Sequence, residues 1–200
     1  LKAANARERA GDSVLHLEAG QPGTGAPRRV REAAARLVMS ETLGYTDSLG
    51  IPELRAAIAG HYARWYDVEL APERVVVTTG SSAAFVLAFL ALFDRGARVG
   101  IAAPGYPAYR NILSALDMAE HAIPVNDSTR YQPAPKHLDR IAGPLDGLLV
   151  ANPANPTGSM LRAAELQELA AACAARGTAL IVDEIYHGIV FEGAPRAACA

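Results

Sequence analysis

Asn152-Pro153-Ala154-Asn155-Pro156-Thr157-Gly158 stands just past the apolar run Gly147-Leu148-Leu149-Val150-Ala151. Asp183-Glu184-Ile185-Tyr186 stands just past a second run, Ala179-Leu180-Ile181-Val182. Between them Leu166, Leu169, Ala170 and Cys173 recur at helical spacing, and Gly177 marks a stop. Short apolar runs separated by a helical pattern read as buried parallel strands. Polar residues at the carboxyl ends of such strands lie where open α/β sheets bind ligands. Two prolines fix the backbone of the first loop, and Gly158 releases it. Asn155 is thereby presented as an amide, Asp183 as a carboxylate at an apolar strand end and Tyr186 as a nearby phenol. A lone carboxylate there is costly, so a cation is expected beside Asp183. Each also has a plainer account: Asn155 is equally a turn residue and Asp183 a helix cap.

Working outward, Val75 to Thr79 reads as a strand by its β-branched run. Gly80-Ser81-Ser82 follows, then an apolar helix from Ala83 to Phe93. Free N–H groups and the dipole at a helix start favour an anion, and the serines add donors. Taken alone, the pattern equally fits a serine cap. Val99 to Ala103 is the next strand and ends in Pro104-Gly105-Tyr106-Pro107-Ala108-Tyr109. Ile112, Leu113 and Leu116 then mark a helix, His121 to Val125 another strand, and 126–146 a loop with a short helix. Five strand patterns alternating with helices predict an α/β fold with a doubly wound, mostly parallel sheet.

Nearer the start, residues 14–27 read as a short strand running into a Gly/Pro loop. Pro27 opens a helix with Val30, Ala33, Ala34, Leu37 and Val38 on one face. Gly50 and Pro52 mark a turn into a further helix, with Leu54, Ala57, Ile58, Tyr62 and Trp65 on one face.

Three stretches carry a resemblance. Tyr45 to Arg55 resembles a Tyr-x4-Gly-x3-Leu-Arg motif, Pro104 to Tyr109 a Pro-x-Tyr-Pro-x-Tyr turn, and the Asn-Pro loop precedes an Asp-x-x-Tyr. In this order, from about Leu17 to Phe191, they resemble the pyridoxal-phosphate aminotransferases of class I and II, of fold type I. The resemblance implies the large, cofactor-binding domain of that fold over 45–200, incomplete at its C-terminus. It implies that 1–44 belongs to the small domain and the substrate mouth, where Gly20 matches the family's glycine.

Pyridoxal 5'-phosphate is the implied cofactor, with Gly80, Ser81 and Ser82 on its phosphate. Tyr106 matches the aromatic stacked on its ring, although a turn tyrosine packed on the core fits as well. Asp183 matches the carboxylate at the ring nitrogen. Asn155 and Tyr186 match the donors to its phenolic oxygen, and Asn155 also matches a contact to the substrate carboxylate. Tyr45 matches a tyrosine reaching the phosphate of the neighbouring subunit, which implies a homodimer; its plainer account is a loop aromatic.

The implied reaction moves an amino group between an amino acid and a 2-oxo acid. A lyase of the same family, an aminotransferase-like sensor domain of a transcription regulator and a cofactor-binding pseudoenzyme stay open. The family's Schiff-base lysine follows its Asp-x-x-Tyr motif after one more strand, and its substrate-clamping arginine follows later. The lysines here are Lys2 and Lys136, neither at that place. The chain therefore reads as an N-terminal piece of an enzyme, with the catalytic lysine expected beyond Ala200.

Composition narrows the rest. Two hundred residues, half of them apolar, suffice for a real core. A net charge of −2 gives no footprint for nucleic acid, and Arg28, Arg29 and Arg31 read as a solvated helix face. No apolar run spans a bilayer, and no leader is visible, which points to the cytoplasm. Cys173 and Cys199 make no disulfide framework. Glu184 and His187 lack the second histidine of His-Glu-x-x-His, so no metal site is expected.

Overall fold

The computed structural model describes residues 1–17, 20, 23–193 and 195–200. The chain divides into two compact units, Leu1–Thr46 and Asp47–Ala200. The first holds α1 (Lys2–Arg9) and α2 (Arg28–Ser40), and none of its described residues is buried. In α2 the arginine cluster is solvated, and Arg28 Nε donates to Glu32 one turn on at 2.7 Å. The expected strand within 14–27 is absent over Val14–Leu17; Glu18, Ala19, Gln21 and Pro22 lie outside the described residues.

The second unit is built on four parallel strands, β1 (Arg98–Ala103), β2 (Ala119–Pro124), β3 (Gly147–Ala151) and β4 (Ala179–Asp183), in the order β2-β1-β3-β4. Alternate residues of each strand face opposite sides of a sheet, and here each side buries its own core. Leu148 and Val150 of β3 meet Leu166, Leu169 and Cys173 of α7 (Ala163–Ala174), with Leu138 of the short α6 (Pro135–Leu138). Leu149 of β3 joins Val99 and Ile101 of β1 on the other side. There they pack on Phe85 and Phe89 of α4 (Ser81–Leu92) and on Tyr109 and Leu113 of α5 (Pro107–Ala115). A sheet covered by helices on both faces is the doubly wound arrangement that the apolar strand runs require. Leu148, Leu149, Leu169 and Phe89 are almost wholly enclosed, each contributing about 1.5–3 kcal/mol by burial.

The fifth expected strand does not form. Val75 is extended, but 75–78 join no ladder and Thr79 already bends. Their polar groups are met otherwise: Arg55 Nε donates to the Val75 carbonyl at 2.9 Å, and the Val77 N–H donates to the Leu49 carbonyl at 3.0 Å. A β-branched run favours extended backbone, but only a neighbouring strand makes a ladder.

The helix after Gly50, α3 (Pro52–Tyr66), also turns differently from expectation. Ala59 is its buried residue, with Arg55, Tyr62 and Tyr66 half-buried, while Leu54 and Trp65 stay exposed. Arg55 and Tyr66 face inward because their polar tips find partners there, and Trp65 instead lies under the Arg196 guanidinium, 5.0 Å from its ring.

Candidate functional site

Because the strands are parallel, their carboxyl ends share one rim. Ala103 and Pro124 end β1 and β2 side by side, and Ala151 pairs with Asp183 across β3 and β4. The loops carrying Tyr106, Asn155 and Tyr186 leave from that rim.

Asp183 is buried. Its Oδ2 accepts from the Tyr109 hydroxyl at 2.6 Å, and its Oδ1 accepts from the Ile185 N–H at 3.0 Å. Both of these donors are neutral. The bond to Ile185 also makes the local, cap-like contact that a strand-end aspartate offers. Tyr109 lies in the first turn of α5, three residues after Tyr106, and is itself buried. Burial, then the Asp183 bond and charge, push its hydroxyl well above the ordinary phenol range. Its ring stands edge-on to Tyr106 at 5.4 Å and to Phe85 at 5.1 Å. An aromatic chain therefore runs from the rim into α4.

Asn155 and Tyr186 meet: the Asn155 amide donates to the Tyr186 hydroxyl at 3.4 Å. A recess of about 310 Å³ opens beside them, with Met160, Ile189, Val190 and Phe191 in its wall. Tyr106 and Asn155 share the wall of a second, narrow crevice with Tyr109 and Gln132. Gln132 had no place in the sequence argument. It is buried, and its Nε2 donates to the carbonyls of Ala151 and Ser159 at 3.1 and 2.9 Å, closing the base of the Asn-Pro loop.

Gly80, not a serine, occupies the cap position of α4, so the plain serine-cap account is replaced. It sits at φ +90°, and no side chain caps the first turn. Thr78 Oγ1 holds the loop by donating to the Gly80 carbonyl at 2.9 Å. A Cβ at Gly80 would meet nothing within 4 Å, so the turn faces open space, with Ser81 half-buried and Ser82 exposed. Phe85, one turn on, links this helix start to Tyr109.

Gly20 and Tyr45 belong to the first unit, and both are exposed. Glu184 Oε2 stands 3.7 Å from His187 Nδ1. Among the described residues no group of three His, Cys, Asp or Glu side chains is placed to hold a metal ion.

Missed from sequence were Tyr109, Gln132 and His187 as site-building residues. Tyr109 stood in the quoted turn motif, but its partner lies 74 residues further on.

The sequence profile of "Aminotransferase class I and II" matches residues 12–199. A valine–pyruvate aminotransferase of Mycobacterium tuberculosis is 51% identical over 198 residues, covering 99% of this chain and 51% of that protein. A probable aspartate/prephenate aminotransferase of Thermus aquaticus is 32% identical over 197 residues, covering 96% and 51%. Among solved structures, an aminotransferase from Mycobacterium tuberculosis superposes with a TM-score of 0.94 at 50% identity, covering 99% of this chain and 51% of that one. An aspartate aminotransferase from Thermus thermophilus with maleate gives 0.92 at 29%, covering 99% and 52%. The chain spans about half the length of the curated relatives it matches. The profile covers the chain almost end to end, over the strand-end carboxylate, the open helix start and the Asn-Pro loop alike, and the chain belongs to the class I and II aminotransferase family.

Proposed function

We propose that the full-length protein transfers an amino group between an amino acid and a 2-oxo acid, with pyridoxal 5'-phosphate as cofactor. The observation that carries this is Asp183: a buried carboxylate, oriented by Tyr109, at the rim where Asn155 and Tyr186 meet. The donor set fits the cofactor. Asp183 would hold a proton on the ring nitrogen by charge pairing and a charge-assisted hydrogen bond. Asn155 and Tyr186 would donate to the phenolic oxygen, and Tyr106 would lie on the ring face. The uncapped turn Gly80–Ser82 would take the phosphate through N–H groups and hydroxyls. When bound, the cofactor supplies an electron sink for chemistry at the amino acid α-carbon. Tyr45 would serve the neighbouring subunit of a homodimer, and Gly20 the substrate mouth. The catalytic lysine is placed outside this chain, since Lys2 and Lys136 match no such position. A cytoplasmic location belongs to the same proposal.

For the substrate, we infer a small aliphatic amino acid, with pyruvate as acceptor. The 51% identical relative is a valine–pyruvate aminotransferase, and the recess beside Asn155 has a largely apolar wall. The named relatives are aminotransferases, which sets amino transfer ahead of the lyase and regulator readings. The test uses the full-length protein loaded with pyridoxal phosphate, and follows alanine formed from pyruvate with a panel of amino donors. Valine should lead aspartate. Transfer from no donor overturns the proposal, and aspartate in front overturns its substrate part.

A further inference from the structure

His187 follows Tyr186 directly and is nearly enclosed, its side chain 9% exposed. Both ring nitrogens are engaged. Nε2 lies 2.9 Å from the Asn152 carbonyl, which can only accept, so Nε2 carries the proton. In the neutral ring Nδ1 is then the acceptor, and the Tyr66 hydroxyl, 2.8 Å away, donates to it. Burial, then the Glu184 charge, hold the Tyr66 hydroxyl above its ordinary value, so it keeps its proton. For the neutral ring these two contacts select the tautomer with the proton on Nε2.

The other end of the relay is Asn152, which is fully buried. Its N–H donates to the Asp183 carbonyl at 2.9 Å, its Oδ1 accepts from the Leu161 N–H at 2.9 Å, and its Nδ2 donates to the Ala198 carbonyl at 3.3 Å. With His187 on its carbonyl, every polar group of Asn152 has a partner. Asn152 begins the loop that presents Asn155, and His187 adjoins Tyr186. The imidazole therefore ties the two loops whose side chains meet at the rim, beside the Asn152–Asp183 backbone bond, and is braced against the end of α3.

We propose that His187 is a positioning residue: through Tyr66 and Asn152 it locks the Asn-Pro loop to the turn after β4, and so sets where Asn155 and Tyr186 stand. This deepens the function proposed above and rests on it for the cofactor. Its local part, the lock, stands on geometry alone.

The experiment uses the full-length protein with Tyr66→Phe, His187→Gln and the double variant. Tyr66→Phe is the gentlest, removing one hydroxyl. His187→Gln keeps a donor for the Asn152 carbonyl and loses the tyrosine. Hydrogen exchange in the cofactor-free proteins should quicken at 152–158 and 184–189 in each single variant. With pyridoxal phosphate bound, the pH midpoint of the visible band should move in both. Affinity for pyridoxal phosphate should fall about 2- to 10-fold, the range one neutral hydrogen bond spans. The double variant should do no more than either single one, because both break the same bond. A band midpoint unmoved in both variants, or exchange unchanged at both segments, overturns the proposal. A wild-type protein that shows no cofactor band overturns the functional reading instead, and the exchange measurement, which needs no cofactor, still decides the lock.

Discussion

The hydroxyl of Tyr109 donates to Oδ2 of Asp183 at 2.6 Å, and both side chains are buried. The bond ties the first turn of α5 to the end of β4, with β3 between their strands. It fixes which way the carboxylate faces and leaves Oδ1 to the Ile185 N–H.

Tyr109→Phe should therefore cost stability of about 1.5–3 kcal/mol, the range for a hydrogen bond to a charged group. The cost should depend on pH in one direction. Below pH 10, the ordinary phenol value, folded and unfolded chains both hold the proton, and the contribution is whole. Above it the unfolded chain releases the proton while the folded chain keeps it, so stability falls as pH rises. Urea melts of both proteins at neutral pH and above 10 measure this. The gap should narrow on the alkaline side, and a constant gap would show that the bond does not govern the titration.

Asp183→Ala in the full-length protein should impair catalysis more than cofactor retention. Losing a hydrogen bond to a charged group costs about 1.5–3 kcal/mol in binding. Losing the proposed partner of the ring nitrogen would act on the transition state. Half-reaction rates and cofactor affinity should be measured together, and an unchanged rate would sink the assignment.

Replacing Ser81 and Ser82 by alanine should weaken pyridoxal phosphate more than pyridoxal, which lacks the phosphate. The ground is the uncapped first turn of α4, open at Gly80. Titrating the cofactor-free protein with each compound separates the effects. Equal weakening of both would mean that the phosphate rests elsewhere.

Much of this site was legible in the sequence. The runs 147–151 and 179–182 are apolar, bounded by turn residues and separated by a helical pattern, so strands and rim followed. Residues 75–79 misled because a β-branched run encodes an extended backbone and not its neighbour; Arg55 and Leu49 took the ladder's place. Trp65 misled because apolarity does not say which face an aromatic takes, and here Arg196 covers it in place of the core. Tyr109, Gln132 and His187 were invisible as site builders because their partners are set by the sheet order and not by spacing along the chain.

Gly50→Ala should destabilise the protein. Gly50 sits at φ +101°, which L side chains rarely adopt, and a Cβ there would lie 2.5 Å from Val77 Cγ2. Such strain costs on the order of 1–3 kcal/mol, and the clash adds to it. A lowered melting temperature is expected, and an unchanged one would show that the turn relaxes at little cost.

Residues 1–200 alone should neither turn over amino groups nor bind the cofactor covalently at one lysine. Such catalysis needs an amine activated by its surroundings at the reacting carbon. The chain's two lysines are poorly placed for it. Lys2 is solvent-exposed at the start of α1, with no surroundings to activate its amine. Lys136 is exposed in α6, whose Leu138 packs with α7 on the far side of the sheet from Tyr109. The experiment adds pyridoxal phosphate to this chain and to the full-length protein, reduces both with borohydride, and maps modified lysines by mass spectrometry. The full-length protein should be labelled at one site outside 1–200, while the shorter chain shows only weak, scattered labelling. Stoichiometric labelling of Lys136 together with measurable amino transfer would overturn the prediction and would make this half of the enzyme sufficient.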